Sequence, residues 1–250
     1  MRFFLAKKQR QSHIRPAIIK PCYNSLMKKL SLELRVLRIY VLSIIAVSAI
    51  VIMPAWTLDY WQAWLFLAIF FIPVLLVGLY MLKFERSLLE KRINAREKRK
   101  PQMLIQSVNT LLFIFAMVIP GFDRRFGWSH VPVWLVLASD LMMLVGYVLF
   151  IRIMLYNEYA SRTIEIQNGQ KLISTGPYAV VRHPMYAAGI LMYMFMPLAL
   201  GSVWAYFPLA FLPVMLAFRL LDEEKALIKD LEGYEQYMKR VKYRLVPWVW

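Results

Sequence analysis

The chain has 250 residues, of which 60% are apolar, and its formal net charge is +16 at neutral pH. Several apolar stretches approach the ~20 residues that a helix needs to cross a bilayer, which predicts an integral membrane protein rather than a soluble domain. The positive charge does not indicate a nucleic-acid-binding protein, because Lys and Arg collect beside the apolar runs. A single cysteine, Cys22, excludes an intramolecular disulfide.

Six apolar runs predict an all-α, polytopic transmembrane protein with about six membrane passes. The last two runs are short and are separated only by Gly201 and Ser202, so we predict that they form a helical hairpin. The predicted spans are residues 36–56, 61–82, 103–121, 132–152, 186–201 and 203–221.

The basic residues predict how the chain is oriented. Residues 1–38 carry ten Lys and Arg against one acid, and residues 83–100 carry eight against three. Because basic loops stay on the cytoplasmic side, we predict that both termini, the 83–100 loop and the 153–185 segment are cytoplasmic. A bacterial inner membrane is the expected location.

We divide the chain into three parts. Residues 1–35 form a basic arm that we expect to be poorly ordered. Met27 is an alternative start, which makes residues 1–26 a candidate extension. Residues 36–152 hold four predicted spans with the basic loop between them, and residues 153–250 hold the motifs that carry chemistry.

The first of these motifs is the stretch Gly176–Tyr186, which a Gly-Pro turn opens. Pro184 suits the first turn of the helix that follows, so His183 is expected at a helix N-terminus, where free N–H groups favour an anionic group. Tyr178 and Tyr186 offer aromatic faces and hydroxyl groups to a planar or cationic ligand.

The second motif lies where the last apolar run ends. Arg219 and Glu223 are four residues apart and share one helix face, which allows either a local salt bridge or the binding of a ligand carboxylate or phosphate by the arginine. Glu223 or Glu224 could hold an ammonium group. Because a hairpin returns both of its ends to one surface, we predict that His183 and Tyr186 lie beside this motif and form a site for a zwitterionic ligand.

The remaining polar residues indicate less. Asp140 is an acid inside a predicted span, and its role is open between helix packing and function. His13 and His130 are interpreted as solvated or interfacial side chains. No metal-ligand spacing or Gly-rich phosphate loop is present, so zinc and nucleotide-triphosphate chemistry are not expected.

Motifs in the last third of the chain also carry a family resemblance. They comprise Asn157, Gln170–Tyr178, Val181–Tyr186, Gly189, Arg219, Glu223–Glu224, Leu227, Tyr234–Tyr237, Val241, Arg244 and Pro247. In these residues the chain resembles the membrane-embedded isoprenylcysteine carboxyl methyltransferase and phospholipid methyltransferase superfamily. Residues 1–130 match only in being apolar.

The resemblance implies methyl transfer from S-adenosyl-L-methionine at the cytoplasmic face, by in-line displacement that depends on positioning and electrostatics. It implies that the cofactor-binding residues are Gln170, Lys171, Leu172, Ile173, Tyr178, His183, Pro184, Tyr186 and Glu223. Arg219 is expected to orient an anionic substrate and to be catalytic, and His183 or Glu224 is the candidate base for an amine or thiol acceptor.

The methyl acceptor expected is a lipophilic carboxylate that enters from the bilayer. A phospholipid amine, a small thiol, or a non-catalytic lipid-binding protein of the same fold are the alternatives. A small transporter is disfavoured, because the chain shows no internal repeat and few intramembrane polar residues besides Asp140. The partners expected are membrane lipids, without nucleic acid or metal.

Overall fold

The computed structural model describes residues 15–95, 97, 99–157, 159 and 169–250, with side chains from residue 31 onward. Throughout these residues the regular structure is helical. The helices are α1 (Arg15–Ile52), α2 (Trp61–Phe84), α3 (Arg86–Asn94), α4 (Lys100–Phe126), α5 (Val133–Tyr156), α6 (Pro184–Ala199), α7 (Tyr206–Leu209), α8 (Leu212–Asp230) and α9 (Tyr234–Arg240). Short 3₁₀ turns lie at Met53–Ala55 and Gly176–Ala179.

The chain separates into two compact units, residues 1–44 and residues 45–250. The first unit contains the predicted basic arm. Its first 14 residues lie outside the described residues, and from Arg15 the chain is helical. All the site residues discussed below belong to the second unit.

Among the residues that the structure describes, four helices are long and apolar enough to cross a membrane, which confirms the all-α, polytopic prediction. They are Ser31–Ala55, Trp61–Phe84, Lys100–Phe126 and Val133–Tyr156, and they coincide with the first four predicted spans. Many of their large apolar side chains are exposed on the helix surfaces. A bilayer is the solvent in which such surfaces are stable.

The last two predicted spans are less regular than expected. Helix α6 has 16 residues, and the predicted run 203–221 is divided between α7 and α8. Prolines explain the division: Pro208 lies within α7, and Pro213 lies in the first turn of α8, where its missing N–H is tolerated. Helix α8 then continues to Asp230 through a charged sequence, so its second half leaves the apolar region.

Helices α5 and α6 approach each other closely because of Gly146 on α5. A Cβ atom added there would lie 2.6 Å from Cγ of Met192 and 3.3 Å from the carbonyl oxygen of Ala188. Asp140 is on the same helix and is 2% exposed. Neither of its carboxylate oxygens has a hydrogen-bond partner among the described residues.

A buried carboxylate joins the end of α4 to the link between α6 and α7. Asp123 is 2% exposed. Its Oδ1 accepts the backbone N–H of Ser129 at 2.7 Å, and its Oδ2 accepts the hydroxyl of Ser202 at 2.5 Å as well as that of Ser129. We call these three residues the Asp123 cluster.

Candidate functional site

A cavity of about 760 Å³ lies among Arg92 and Arg99, α5, Asn157 and Tyr159, the 170–186 segment, α8 and α9. Every predicted binding residue borders it: Gln170, Lys171, Leu172, Ile173, Tyr178, His183, Pro184, Tyr186, Arg219 and Glu223. Glu224, the remaining predicted site residue, is not among the lining residues. The two motifs of the sequence analysis therefore meet at one site.

The centre of the cavity wall is a row of three polar side chains from α6 and α8. The hydroxyl of Tyr186 donates a hydrogen bond to Oε2 of Glu223 at 2.8 Å and accepts one from Nε of Arg219 at 2.8 Å. The guanidinium of Arg219 also lies 5.9 Å from the ring centroid of Tyr186. The predicted i, i+4 pair of Arg219 and Glu223 is thus bridged through a tyrosine of the neighbouring helix.

Glu224 lies behind this wall and is 3% exposed. Its Oε1 accepts Nε of Arg182 at 2.7 Å and lies 3.3 Å from Nε2 of His183, while its Oε2 accepts Nε of Arg244 at 2.9 Å. Burial raises the pKa of Glu224, but the hydrogen bonds from His183, Arg182 and Arg244 outweigh burial and lower it to about 2. Glu224 is therefore an ionised acceptor at neutral pH. We call Glu224, Arg182, Arg244 and His183 the Glu224 network.

The Glu224 network also fixes the segment that follows α9. Nη1 of Arg182 donates to the carbonyl oxygens of Val241 at 2.9 Å and Lys242 at 2.8 Å. The backbone N–H groups of Arg182 and His183 donate to the carbonyl oxygens of residues 243 and 244, each at 2.9 Å. The sequence analysis predicted His183 and Glu224 as site residues. It did not predict these hydrogen bonds to residues 241–244, although Arg182 lies within the motif Val181–Tyr186.

Tyr178 lies on a second wall, in the 3₁₀ turn Gly176–Ala179. Gly176 has a φ of +58°, and a Cβ there would lie 2.8 Å from the ring of Tyr156, so this turn requires glycine. The Tyr178 hydroxyl accepts a hydrogen bond from Nδ2 of Asn157 at 2.8 Å, and the hydroxyl of Tyr237 holds the Tyr178 carbonyl at 2.7 Å. Burial raises the pKa of Tyr178, against the lowering effect of Asn157, so the phenol keeps its proton at neutral pH.

A third part of the cavity wall comes from the first half of the chain, and sequence reasoning missed it. Asp222 accepts Nη2 of Arg99 at 2.9 Å and Nε2 of Gln102 at 2.5 Å. Arg92 and Arg99 border the cavity, whereas their segment was predicted only as a basic cytoplasmic loop. Gln102 is fully buried. A polar residue at the start of an apolar helix was the feature of the sequence that could have indicated this link.

Cationic side chains outnumber acidic ones on the described cavity wall. Seven are basic, namely Arg92, Arg99, Lys171, Arg182, Arg219, Lys225 and Lys229, and three are acidic, namely Asp222, Glu223 and Asp230. Such a wall favours an anionic ligand. Within the described residues, no group of three or more His, Cys, Asp or Glu is placed to hold a metal ion.

Comparison with known proteins relates residues 153–250 to a family other than the predicted one. Residues 153–250 match the Ergosterol biosynthesis ERG4/ERG24 family. A delta(14)-sterol reductase of Mus musculus is 32% identical over 91 residues, which are 35% of this chain and 22% of the relative. A delta(14)-sterol reductase of Schizosaccharomyces pombe is 34% identical over 90 residues, 35% of this chain and 21% of the relative.

A third relative is bacterial. The delta(14)-sterol reductase of Methylotuvimicrobium alcaliphilum is 27% identical over 131 residues, 46% of this chain and 31% of the relative. In each of these three alignments the chain spans less than a third of the relative's length.

These comparisons correct the predicted family, reaction and cofactor. The assignment to the isoprenylcysteine carboxyl methyltransferase and phospholipid methyltransferase superfamily was wrong, and so were S-adenosyl-L-methionine as the cofactor and methyl transfer as the reaction. A lipophilic methyl acceptor is accordingly not supported. The physical reason for the error is that the motifs form the walls of a cavity rich in cationic side chains, and such walls do not specify whether a methyl group or a hydride is transferred.

Proposed function

We propose that this chain is a membrane-embedded reductase that adds hydrogen across a carbon–carbon double bond of a sterol-like substrate. The observation that carries the proposal is that the segment similar to sterol reductases, residues 153–250, supplies most of the cavity wall. The reaction adds a hydride to one carbon and a proton to the other. A reduced nicotinamide cofactor supplies the hydride when it is bound.

The cavity suits a reduced dinucleotide phosphate such as NADPH in size and charge. A volume of about 760 Å³ lies within the usual range for small-molecule sites. The excess of cationic side chains suits phosphate groups, and Lys171, Lys225 and Lys229 are the proposed phosphate ligands. The binding residues predicted from the sequence keep their positions in this proposal, with a different cofactor.

Tyr178 is the proposed proton donor. Its oxygen already accepts a hydrogen bond from Asn157, and its own O–H has no acceptor among the described residues. The proton of Tyr186, by contrast, is held by Glu223. The Asn157 amide would stabilise the phenolate that remains after proton transfer to carbon.

An apolar corner of the cavity is the proposed position of the substrate. Phe150 and Met185 border the cavity and pack against the buried side chains of Met81, Leu88 and Met154. These residues come from α2, α3, α5 and α6, so an apolar polycyclic molecule could enter this corner from the bilayer. The distribution of basic residues supports a cytoplasmic opening for the cofactor. The membrane proposed is a bacterial inner membrane.

The proposal is tested with the full chain reconstituted in lipid nanodiscs. Binding of NADPH is measured by fluorescence, and NADPH deuterated at the transferable position is then supplied with a sterol that carries a delta(14) double bond. We expect one deuterium in the reduced sterol, measured by mass spectrometry. Absence of both NADPH binding and deuterium transfer would overturn the proposal.

A pair of tyrosine variants tests the proton donor. Tyr178→Phe should lower kcat by roughly 100-fold or more while NADPH binding changes little, because a general acid acts in the chemical step. The matched control is Tyr193→Phe on α6, since Tyr193 packs edge-on against Phe113 and is not among the cavity-lining residues. Equal activity in the two variants would exclude Tyr178 as the proton donor.

A further inference from the structure

The two ring nitrogens of His183 face different carboxylates. Nε2 lies 3.3 Å from Oε1 of Glu224, and Nδ1 lies 3.9 Å from Oε1 of Glu223. Both Glu223 and His183 border the cavity, whereas Glu224 does not. The His183 side chain is only 5% exposed, so its ring is held between the buried Glu224 and the ligand cavity.

The hydrogen on Nε2 follows from the state of Glu224. An ionised carboxylate only accepts hydrogen bonds, and Glu224 is held ionised by two arginines, Arg182 and Arg244. The nitrogen that faces Glu224 must therefore carry the hydrogen. Nδ1 lies beyond hydrogen-bond distance of the Glu223 carboxylate, so it donates no hydrogen bond there, and we take it as the acceptor nitrogen of the imidazole.

Nδ1 consequently has an acceptor as its neighbour. Glu223 uses its Oε2 for the Tyr186 hydroxyl, and its Oε1 is the carboxylate oxygen that faces Nδ1. Two acceptors 3.9 Å apart do not bond to each other, but a group with an N–H donor can bond to both. Such a pair is suited to a primary amide, whose nitrogen carries two hydrogens.

We propose that Glu224 is a positioning residue that fixes His183 as the Nε2–H tautomer, so that Nδ1 of His183 and Oε1 of Glu223 together form a subsite for the primary carboxamide of a bound cofactor. The Glu224 part stands on the geometry of this chain alone. The carboxamide part rests on the proposed function, since a nicotinamide ring carries that group. Glu224 thereby acts through His183 and touches no substrate.

The tautomer is measured by solid-state nitrogen-15 NMR on the reconstituted full chain with labelled histidine. His13 and His130 are replaced by Gln, so that His183 gives the only ring signals. At neutral pH we expect a protonated Nε2 and an unprotonated Nδ1. A protonated Nδ1, whether in the other tautomer or in a doubly protonated ring, would overturn the proposal without the need for any variant at Glu224.

Two adjacent glutamates provide a matched pair of variants for the same spectrum. Glu224→Gln should produce a mixture of tautomers, because an amide presents both a donor and an acceptor to Nε2. Glu223→Gln should leave the tautomer unchanged. An unchanged tautomer in Glu224→Gln would contradict the positioning role, and the wild-type spectrum remains decisive if that variant does not fold.

The carboxamide part is tested with reduced 3-acetylpyridine adenine dinucleotide phosphate, in which an acetyl group replaces the amide and no N–H donor remains. We expect its Kd to be roughly tenfold higher than that of NADPH in the wild type, because the two acceptors lose their donor. Glu223→Gln should reduce that ratio. Equal affinities in the wild type would overturn the carboxamide subsite, and failure of NADPH itself to bind would overturn the proposed function while leaving the tautomer result intact.

Discussion

The Asp123 cluster and the Glu224 network each surround a buried carboxylate with hydrogen-bond donors, but the donors differ. Each contains a carboxylate that is at most 3% exposed and receives three donors. The donors to Asp123 are two hydroxyls and a backbone N–H, whereas two of the donors to Glu224 are guanidinium groups. Neutral donors close loops at one end of α4, while the cationic donors lie behind the cavity wall.

This difference in donors predicts how much stability is lost when each carboxylate is removed. A buried carboxylate held by neutral donors can be lost at the cost of hydrogen bonds alone. Removal of a carboxylate from beside the buried Arg182 also leaves uncompensated charge, which costs more. Four predictions test the contrast.

Glu224→Ala should have the largest effect. Arg182 is 6% exposed, so without Glu224 it would be buried without a counter-charge, and the half-buried Arg244 would also lose its carboxylate partner. We expect a loss of about 4 kcal/mol in stability, or roughly 10 °C in Tm, measured by thermal unfolding in detergent. Glu223→Ala is the control and should lower Tm much less; similar losses in both variants would contradict the distinction.

The stability of the wild type should also depend on acidic pH through Glu224. The pKa of this carboxyl is about 2 in the folded chain and 4.5 ordinarily, so ionised Glu224 contributes about 3 kcal/mol that is fully present above pH 4.5. That contribution should decline as the pH falls from 4.5 toward 2. The measurement is the difference in Tm between the wild type and Glu224→Gln across this range, and a constant difference would argue against the network.

Asp123→Ala should have a smaller effect, because only neutral donors lose their acceptor. We expect a loss of about 2 kcal/mol, with NADPH affinity unchanged, since none of the three residues of the Asp123 cluster borders the cavity. Thermal unfolding and fluorescence titration on the same preparation check both statements. A loss of affinity in this variant would show that the two clusters are energetically coupled.

Asp140→Leu should have the smallest effect and the opposite sign. The Asp140 carboxyl is buried without a hydrogen-bond partner among the described residues, so an apolar side chain of similar size removes a desolvation cost. We expect a gain of about 1 kcal/mol, seen as a small rise in Tm. A fall in Tm would indicate that Asp140 has a functional or structural role, as the sequence left open.

The fold was more predictable than the site. Long apolar runs identified the four spans because length and hydropathy are local properties of a sequence. The break between α7 and α8 depends on Pro208 and Pro213. Both prolines were included in the single span predicted for residues 203–221.

Part of the site was also predictable. The sequence argument placed His183 and Tyr186 beside Arg219 and Glu223, and in the structure Tyr186 bonds to both of these residues while His183 lies near Glu223. The link from Asp222 to Arg99 and Gln102 and the clamp of Arg182 on Val241 and Lys242 join residues far apart in sequence. Such polar pairs leave no periodic pattern in the sequence, so they could not be predicted from it. The reaction was not predictable from the wall residues, because the same charges can hold cofactors of different chemistry.

Helix α4 is attached near both of its ends, through Gln102 to Asp222 and through Asp123 to Ser202. These attachment points are about 30 Å apart along the helix axis, a distance similar to the hydrocarbon thickness of a bilayer. The helix therefore fixes the distance between the cavity and the Asp123 cluster. Because a helix of fixed length tilts in a thinner bilayer, we expect the proposed reductase activity to vary with the acyl length of the lipid, together with the affinity for NADPH.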